Sequence, residues 1–251
     1  MRVIAVINQK GGVGKTTTTL NLAHALSRQG KKVTVIDLDP QSNLTMGLGV
    51  TEQNVPGIGE VLINGEKILN VIQEVRENLQ LIPAGSRLAE FEYLPGGAAK
   101  GFMLQKVISS HFTEDDFVMI DCPPSSGILG MNALLAVDEV LIPVSGDFFA
   151  LQGLSRMMNI FEYIETTLKR ETKKRIVLTR FQTRRKLAHD VRDKIVNYFP
   201  SQVLNTPIRE NVSLAESPGF GKTIFDYRAK SAGAKDYLSL ADDLILERLV
   251  H

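Results

Sequence analysis

Short, unbroken apolar runs alternate along the chain with longer stretches in which apolar residues recur at helical spacing. The runs predict strands at Val3–Asn8, Val33–Asp37, Leu79–Pro83, Phe117–Asp121, Glu139–Val144 and Ile176–Thr179. The spaced stretches predict helices over Lys15–Gln29, Phe102–His111, Leu151–Leu168 and Arg184–Tyr198. Strands this apolar are buried on both faces, as in a parallel sheet covered by helices. The alternation predicts an α/β fold: a doubly wound, mostly parallel sheet with helices on both faces. No repeat, low-complexity run or linker divides residues 1–251, so a single domain is expected. A last helix is expected from about Lys235 to Val250. Its apolar side would carry Leu238, Ala241, Leu244, Ile245 and Leu249, and its polar side Asp236, Asp242, Asp243 and Glu247 against Lys235 and Arg248. A membrane-surface helix carries a basic face, so this acidic one is expected to pack and close the fold.

Composition narrows the classes. Hydrophobic residues make up 43%, ample for a core, while 6% aromatic content and the absence of Trp argue against a large stacking surface for bases. A single cysteine, Cys122, allows no internal disulfide and no cysteine-based zinc site, which fits a reducing cytosol. The apolar start Val3–Ile7 is stopped by Asn8-Gln9-Lys10, and no stretch approaches the ~20 apolar residues of a membrane span. A cytoplasmic protein without a membrane partner is expected. Net charge is only +1, so any polyanion site must be local. Between Lys169 and Lys194, eleven Lys/Arg face three acids, an electropositive segment on an otherwise acidic chain. The alternative is a solvated helix face beside a basic turn.

The sharpest chemistry follows the first strand, in Lys10-Gly11-Gly12-Val13-Gly14-Lys15-Thr16-Thr17. Glycines let the backbone curl its N–H groups around a phosphate, and a helix N-terminus adds partial positive charge. Lys15 would neutralise the β- and γ-phosphates, and the Thr16 hydroxyl would hold Mg²⁺. The usual pattern has glycine where Gln9 stands, and here a second lysine, Lys10, follows it. Such a loop needs carboxylates at the C-terminal ends of neighbouring strands. Asp121 closes one strand, where it would order Mg²⁺ through water. Asp37 and Asp39 close another, and Asp39 would orient a hydrolytic water. For each, the alternative is a strand-end carboxylate capping a turn. The four histidines suggest no Ser/His/Asp arrangement, and Cys122 is expected to be a small buried residue.

Lys10–Thr17 resembles the deviant Walker A motif of the ParA/Soj/MinD ATPases, whose extra lysine sits where Lys10 does. Asp37-Leu38-Asp39-Pro40-Gln41-Ser42-Asn43 resembles that family's switch I, and Asp121-Cys122-Pro123-Pro124 its switch II. Phe148–Leu154 and Leu214–Lys222 are similar to segments of the ParA/Soj branch, so the likeness runs from the first strand to about Tyr227.

The resemblance implies an ATP-dependent switch in which two ATP-bound subunits form a homodimer and Lys10 reaches the partner's phosphates. That role parallels an arginine finger supplied in trans. By position, Gly11, Gly12, Val13, Gly14, Lys15 and Thr17 would bind ATP, Thr16 would hold Mg²⁺ directly and Asp121 through water. Asp39 would align the attacking water. The family's nucleotide-contacting Pro-Arg-Asn segment falls at Arg209-Glu210-Asn211, with Arg and Glu as departures. The resemblance also implies slow hydrolysis stimulated by a ParB-like activator and by DNA. It implies nucleoid association through nonspecific DNA binding in the ATP state, in the service of chromosome or plasmid partition. Arg184, Arg185 and Lys186 are the candidate DNA contacts, while Glu210 and Ser213 would weaken one part of that surface. Four other readings stand beside this one. A relative positioning a chemotaxis cluster or microcompartment shares every motif. A MinD-like membrane regulator would need a basic final helix. An iron-sulfur reductase needs more bridging cysteines, and a small-molecule ligase of this fold has no need of Lys10.

Overall fold

The strand Arg2–Val6 (β1) runs through the middle of the sheet, flanked on both sides by parallel neighbours. In the computed structural model, residues 1–251 are described except Gln53, Ser126, Phe148, Phe149 and His251. The other strands are Val33–Asp37 (β2), Gln73–Arg76 (β3), Leu79–Ile82 (β4), Phe117–Asp121 (β5), Glu139–Ser145 (β6) and Lys173–Thr179 (β7). Their order across the sheet is β3-β4-β2-β5-β1-β6-β7, and every pairing but β3·β4 is parallel.

Successive residues of β1 point to opposite faces, and both faces are buried. Val3 and Ala5 join one apolar cluster with Leu104, Leu129, Leu154 and Val191, from helices covering the first face. Ile4 and Val6 join the other with Leu20, Leu22 and Leu240, from the helices Lys15–Arg28 and Ala232–Leu246. This double cover is why the strands read as unbroken apolar runs. Each such Val, Leu or Ile taken from water contributes roughly 1.5–3 kcal/mol toward offsetting chain entropy.

Several local features depart from the sequence expectations. β3 is an antiparallel edge strand with a register shift between Glu74 and Arg76, and its polar residues leave no apolar run to find. The helix Ile128–Ala136 is apolar nearly all round, so it shows no helical stripe. β7 starts at Lys173, because Lys174 pairs with Glu165 at 2.6 Å, Lys173 pairs with Glu247, and Arg175 is buried. The supposed basic turn is therefore largely a strand with its charges paired.

The closing helix is Ala232–Leu246, shorter at its end than expected. It begins at a Ser231 cap, whose hydroxyl oxygen accepts the Ala234 N–H at 3.1 Å. Asp236 and Asp243 do not face solvent as the polar-side reading requires; both are buried. Asp243 accepts the Thr206 N–H at 2.7 Å and Asp236 takes the Arg209 side chain, so these acids fasten the segment beyond β7. Among the described residues, no helix is long and apolar enough to cross a membrane.

The helix carrying the basic cluster is Lys186–Tyr198, with Arg185 as its N-cap. Arg184, Arg185 and Lys186 are exposed, as expected. Leu187 is not on the apolar side; it is 37% exposed, and the buried side is Ala188, Val191 and Ile195.

Candidate nucleotide site

The loop between β1 and the helix Lys15–Arg28 lies at the C-terminal end of the parallel strands, where such sheets bind ligands. The Asn8 side chain secures its start, donating from Nδ2 to Pro143 O at 2.8 Å and accepting the Lys10 N–H at 3.0 Å. Thr179, at the end of β7, donates its hydroxyl to Val13 O at 2.7 Å. Gly12 and Gly14 adopt φ of 72° and 90°, backbone that a side chain would strain. A Cβ added at Gly11 or Gly12 would meet nothing within 4 Å, so there is open space against the loop. The residues fit a phosphate group.

Lys15 is only 8% exposed, and its Nζ donates to Lys10 O at 3.3 Å across the loop. Burial lowers its pKa, against the raising pull of Asp121 and Asp39. Asp121 is fully buried and accepts from Thr16 Oγ1 at 2.7 Å and from Thr19 Oγ1 at 3.2 Å. Burial and then the charge of Asp37 push its pKa up to about 8, which a cation at Thr16 would reverse. Among the described residues no cluster of three or more His, Cys, Asp or Glu is placed to hold a metal. Mg²⁺ takes one or two protein oxygens and completes its shell with phosphate and water, and the Thr16 hydroxyl with Asp121 behind it offers such a donor set.

Asp37 and Asp121 are register partners on β2 and β5. Asp37 accepts the Thr45 N–H at 2.8 Å and the Thr45 hydroxyl at 2.6 Å, tying down the short helix Asn43–Gly47. Burial raises its pKa to about 6. Asp39 accepts the Gln41 N–H at 3.0 Å through Oδ1, so it does cap a turn, and it sits close enough to Lys15 to act on its charge.

Lys10 stands on the rim. Its ammonium is exposed and pairs with Asp147 beyond β6, in a cleft shared with Gly11 and Gly12. Beside it is a cleft of about 240 Å³ lined by Lys10, Gly12, Arg180 and Arg185, which places the basic cluster at the same end of the sheet. A second cleft, of about 490 Å³, is lined by Gly12, Gly14, Thr17, Arg209, Asn211 and Tyr237. Arg209 and Asn211 thus flank the phosphate loop. The Arg209 guanidinium is committed to Asp236 at 2.6 Å, and Asn211 Oδ1 caps the helix Val212–Glu216 by accepting the Ser213 N–H at 2.9 Å. Of the segment Phe148–Leu154, Phe148 and Phe149 lie outside the described residues, and Ala150 opens the helix Ala150–Leu168. Cys122 is buried and its thiol pKa is raised by burial, as a packed residue's should be.

Three contributors are not evident from motif reading. Thr19 shares Asp121 with Thr16, one helical turn on; helical spacing from Thr16 was the signal available. Thr179 braces the loop from a strand end 166 residues away, which no local pattern marks. Asp147 follows β6 as Asp121 closes β5, and the same strand-end rule would have found it.

A doubly wound sheet with a glycine loop, buried lysine and helix start at its carboxyl edge defines a phosphate-loop nucleoside-triphosphatase. Comparison with known proteins extends this. A family model described as an AAA domain matches residues 1–174. The chain is 39% identical to the chromosome partitioning protein ParA of Myxococcus xanthus over 249 residues, 97% of this chain and 88% of that protein. It is 38% identical to the sporulation initiation inhibitor protein Soj of Bacillus subtilis, over 97% of this chain and 98% of that one. Among solved structures, a cobyrinic acid a,c-diamide synthase from Mycobacterium smegmatis with bound ADP and magnesium has a TM-score of 0.82 at 29% identity, covering 98% of this chain and 94% of that one. The chain belongs to the ParA/Soj family of partition ATPases, whose nucleotide is ATP and whose metal is Mg²⁺.

Proposed function

We propose that residues 1–251 form one ATP-dependent switch domain that dimerises around bound nucleotide, binds DNA without sequence preference in that state, and is reset by hydrolysis under a ParB-like activator. The observation that carries this reading is the exposure of Lys10. A buried lysine, Lys15, already serves the loop, and the second one is exposed and held by Asp147. A cation so placed is suited to another subunit's phosphates. A small-molecule ligase of this fold would have no need of it.

Within one subunit, the loop N–H groups and Lys15 hold the phosphates, Thr17 adds a hydroxyl, and Arg209 and Asn211 border the nucleoside side. Thr16 offers its oxygen to Mg²⁺, and Asp121 orients that hydroxyl and the metal's water. Bound Mg²⁺ supplies charge neutralisation between the phosphates. Asp39, fixed by its turn, orients the attacking water. Phosphoryl transfer depends on positioning and on stabilising charge, so hydrolysis stays slow until Lys10 of a second subunit arrives. Asp39→Ala should accordingly lower turnover about 100-fold while leaving ATP affinity within about threefold, since the lost interaction belongs to the transition state. Parallel phosphate-release and calorimetric assays check this, and wild-type turnover would leave Asp39 a turn cap only.

The DNA part rests on the exposed cluster Arg184, Arg185 and Lys186 beside the Lys10 cleft. Positive side chains at a helix N-terminus oppose its dipole, so the cluster has no structural purpose there. One monomer presents it once and a dimer twice, which makes affinity ATP-dependent without altering the cluster. Charge reversal of all three to Glu should abolish DNA retention in ATP while sparing dimerisation. Wild-type DNA should be released steeply by salt and show little sequence preference. An unchanged salt slope in the triple variant would leave the cluster a solvated face.

A further inference from the structure

Much of the positive charge between Lys169 and Lys194 is already used by the fold. Arg170 donates to Val137 O at 2.7 Å, Lys174 pairs with Glu165, and Lys173 and Arg175 pair with Glu247. The cations at the Lys10 cleft are different. Arg180 and Arg185 line it together with two carboxylates, Asp147, which pairs with Lys10, and Glu210. Arg180 Nη2 lies 3.5 Å from Glu210 Oε1, and Gln182 donates its amide N–H to the other oxygen. Gln182 in turn accepts from Arg185 Nη1 at 3.2 Å. Glu210 therefore connects through Gln182 to Arg185, in the middle of the basic cluster.

The placement is enforced by the backbone. Phe181 N–H donates to Ile208 O at 2.9 Å and Glu210 N–H to Phe181 O at 3.2 Å, so the two segments are zipped in parallel. That zipper, with Arg209 on Asp236, holds residue 210 in place without help from its side chain. The ion pair is exposed, the Arg180 side chain 61% and the Glu210 side chain 44%, and exposed pairs add little to stability. The effect of Glu210 falls instead on whatever approaches the cleft.

We propose that Glu210 is a built-in counter-anion that occupies Arg180 and competes with DNA phosphates, setting the ATP-state dimer to bind DNA weakly enough to be released. This rests on the DNA-binding reading above. An incoming phosphate must displace the carboxylate from Arg180 and tolerate its charge within a screening length of Arg185. Two subunits impose this twice.

The test compares Glu210→Gln with Glu77→Gln in the full chain. Glu77 is an exposed carboxylate in the turn after β3, at the opposite edge of the sheet, and its replacement makes the same change in net charge. DNA affinity is measured on duplexes of unrelated sequence at several salt concentrations, with ATP and Mg²⁺. Glu210→Gln should tighten binding about fivefold or more near 0.1 M salt and steepen the log–log salt dependence by about one to two, as each freed Arg180 gains a phosphate contact. Glu77→Gln should move affinity less than about twofold, and dimerisation by sedimentation should be the same in all three proteins. DNA binding by Glu210→Gln where wild type shows none also supports the proposal. Equal effects of the two variants, or weaker binding by Glu210→Gln, overturn it while leaving the DNA reading intact. ATP dimers of both wild type and Glu210→Gln that ignore DNA at low salt would overturn the DNA reading and this proposal together.

Discussion

Lys15→Ala is expected to remove measurable Mg-ATP binding, with affinity falling about 100-fold or more, roughly 3 kcal/mol. The reason lies in the burial of the ammonium. Lys15 sits beneath the loop at 8% exposure, where desolvation already lowers its pKa, so its charge is poorly screened and acts strongly on a phosphate above it. Among the described residues Lys15 Nζ hydrogen-bonds to Lys10 O at 3.3 Å, so truncation leaves Thr16, Asp121 and the β1 anchor at Asn8 undisturbed. The variant should fold, and its melting temperature should no longer rise with Mg-ATP as a ligand-binding protein's does. Near-wild-type affinity by calorimetry would place the phosphates elsewhere.

Lys10→Ala should separate binding from turnover. The side chain is exposed and its partner Asp147 is half-exposed, so the pair contributes little to stability. The monomer should bind ATP within about threefold of wild type, because Lys10 gives its own loop a backbone oxygen rather than its charge. Activated hydrolysis should fall by about 10³-fold or more, the range seen when a cation supplied in trans is removed. Mixing this variant with Lys15→Ala provides a sharper readout, since a mixed dimer pairs an intact Lys10 with an intact phosphate loop. Normal turnover by Lys10→Ala alone would refute the in-trans role.

How much of this could be read from the chain depends on the range of each interaction. β2 and β5 are bounded as their apolar runs predict, because a strand buried on both faces reads as a nearly continuous apolar run, here ended by a carboxylate. Lys15, Thr16 and Asp121 converge because a phosphate loop and a strand-end carboxylate are local patterns that a parallel sheet brings to one edge. Paired charge was harder to foresee. Asp236 and Asp243 read as a solvent face, yet each is buried on a partner about thirty residues earlier in the chain. The electropositive segment overstates its own surface for the same reason, since Glu165, from the helix Ala150–Leu168, and Glu247, just past the closing helix, reach it. Leu187 stands at helical spacing from the buried Val191 and Ile195, yet it is exposed and one small residue, Ala188, takes the buried place instead.

The central claim is that nucleotide state controls assembly and assembly controls DNA binding. Sedimentation velocity of the full chain with ADP, with ATP and Mg²⁺, and with ATP, Mg²⁺ and a short nonspecific duplex tests it directly. Asp39→Ala serves to hold the ATP state. The expected result is a monomer in ADP, a dimer in ATP, and a faster dimer–DNA species that appears only with ATP and disappears as salt is raised. One unchanging species in all nucleotide states, or DNA bound equally well in ADP and ATP, would contradict it.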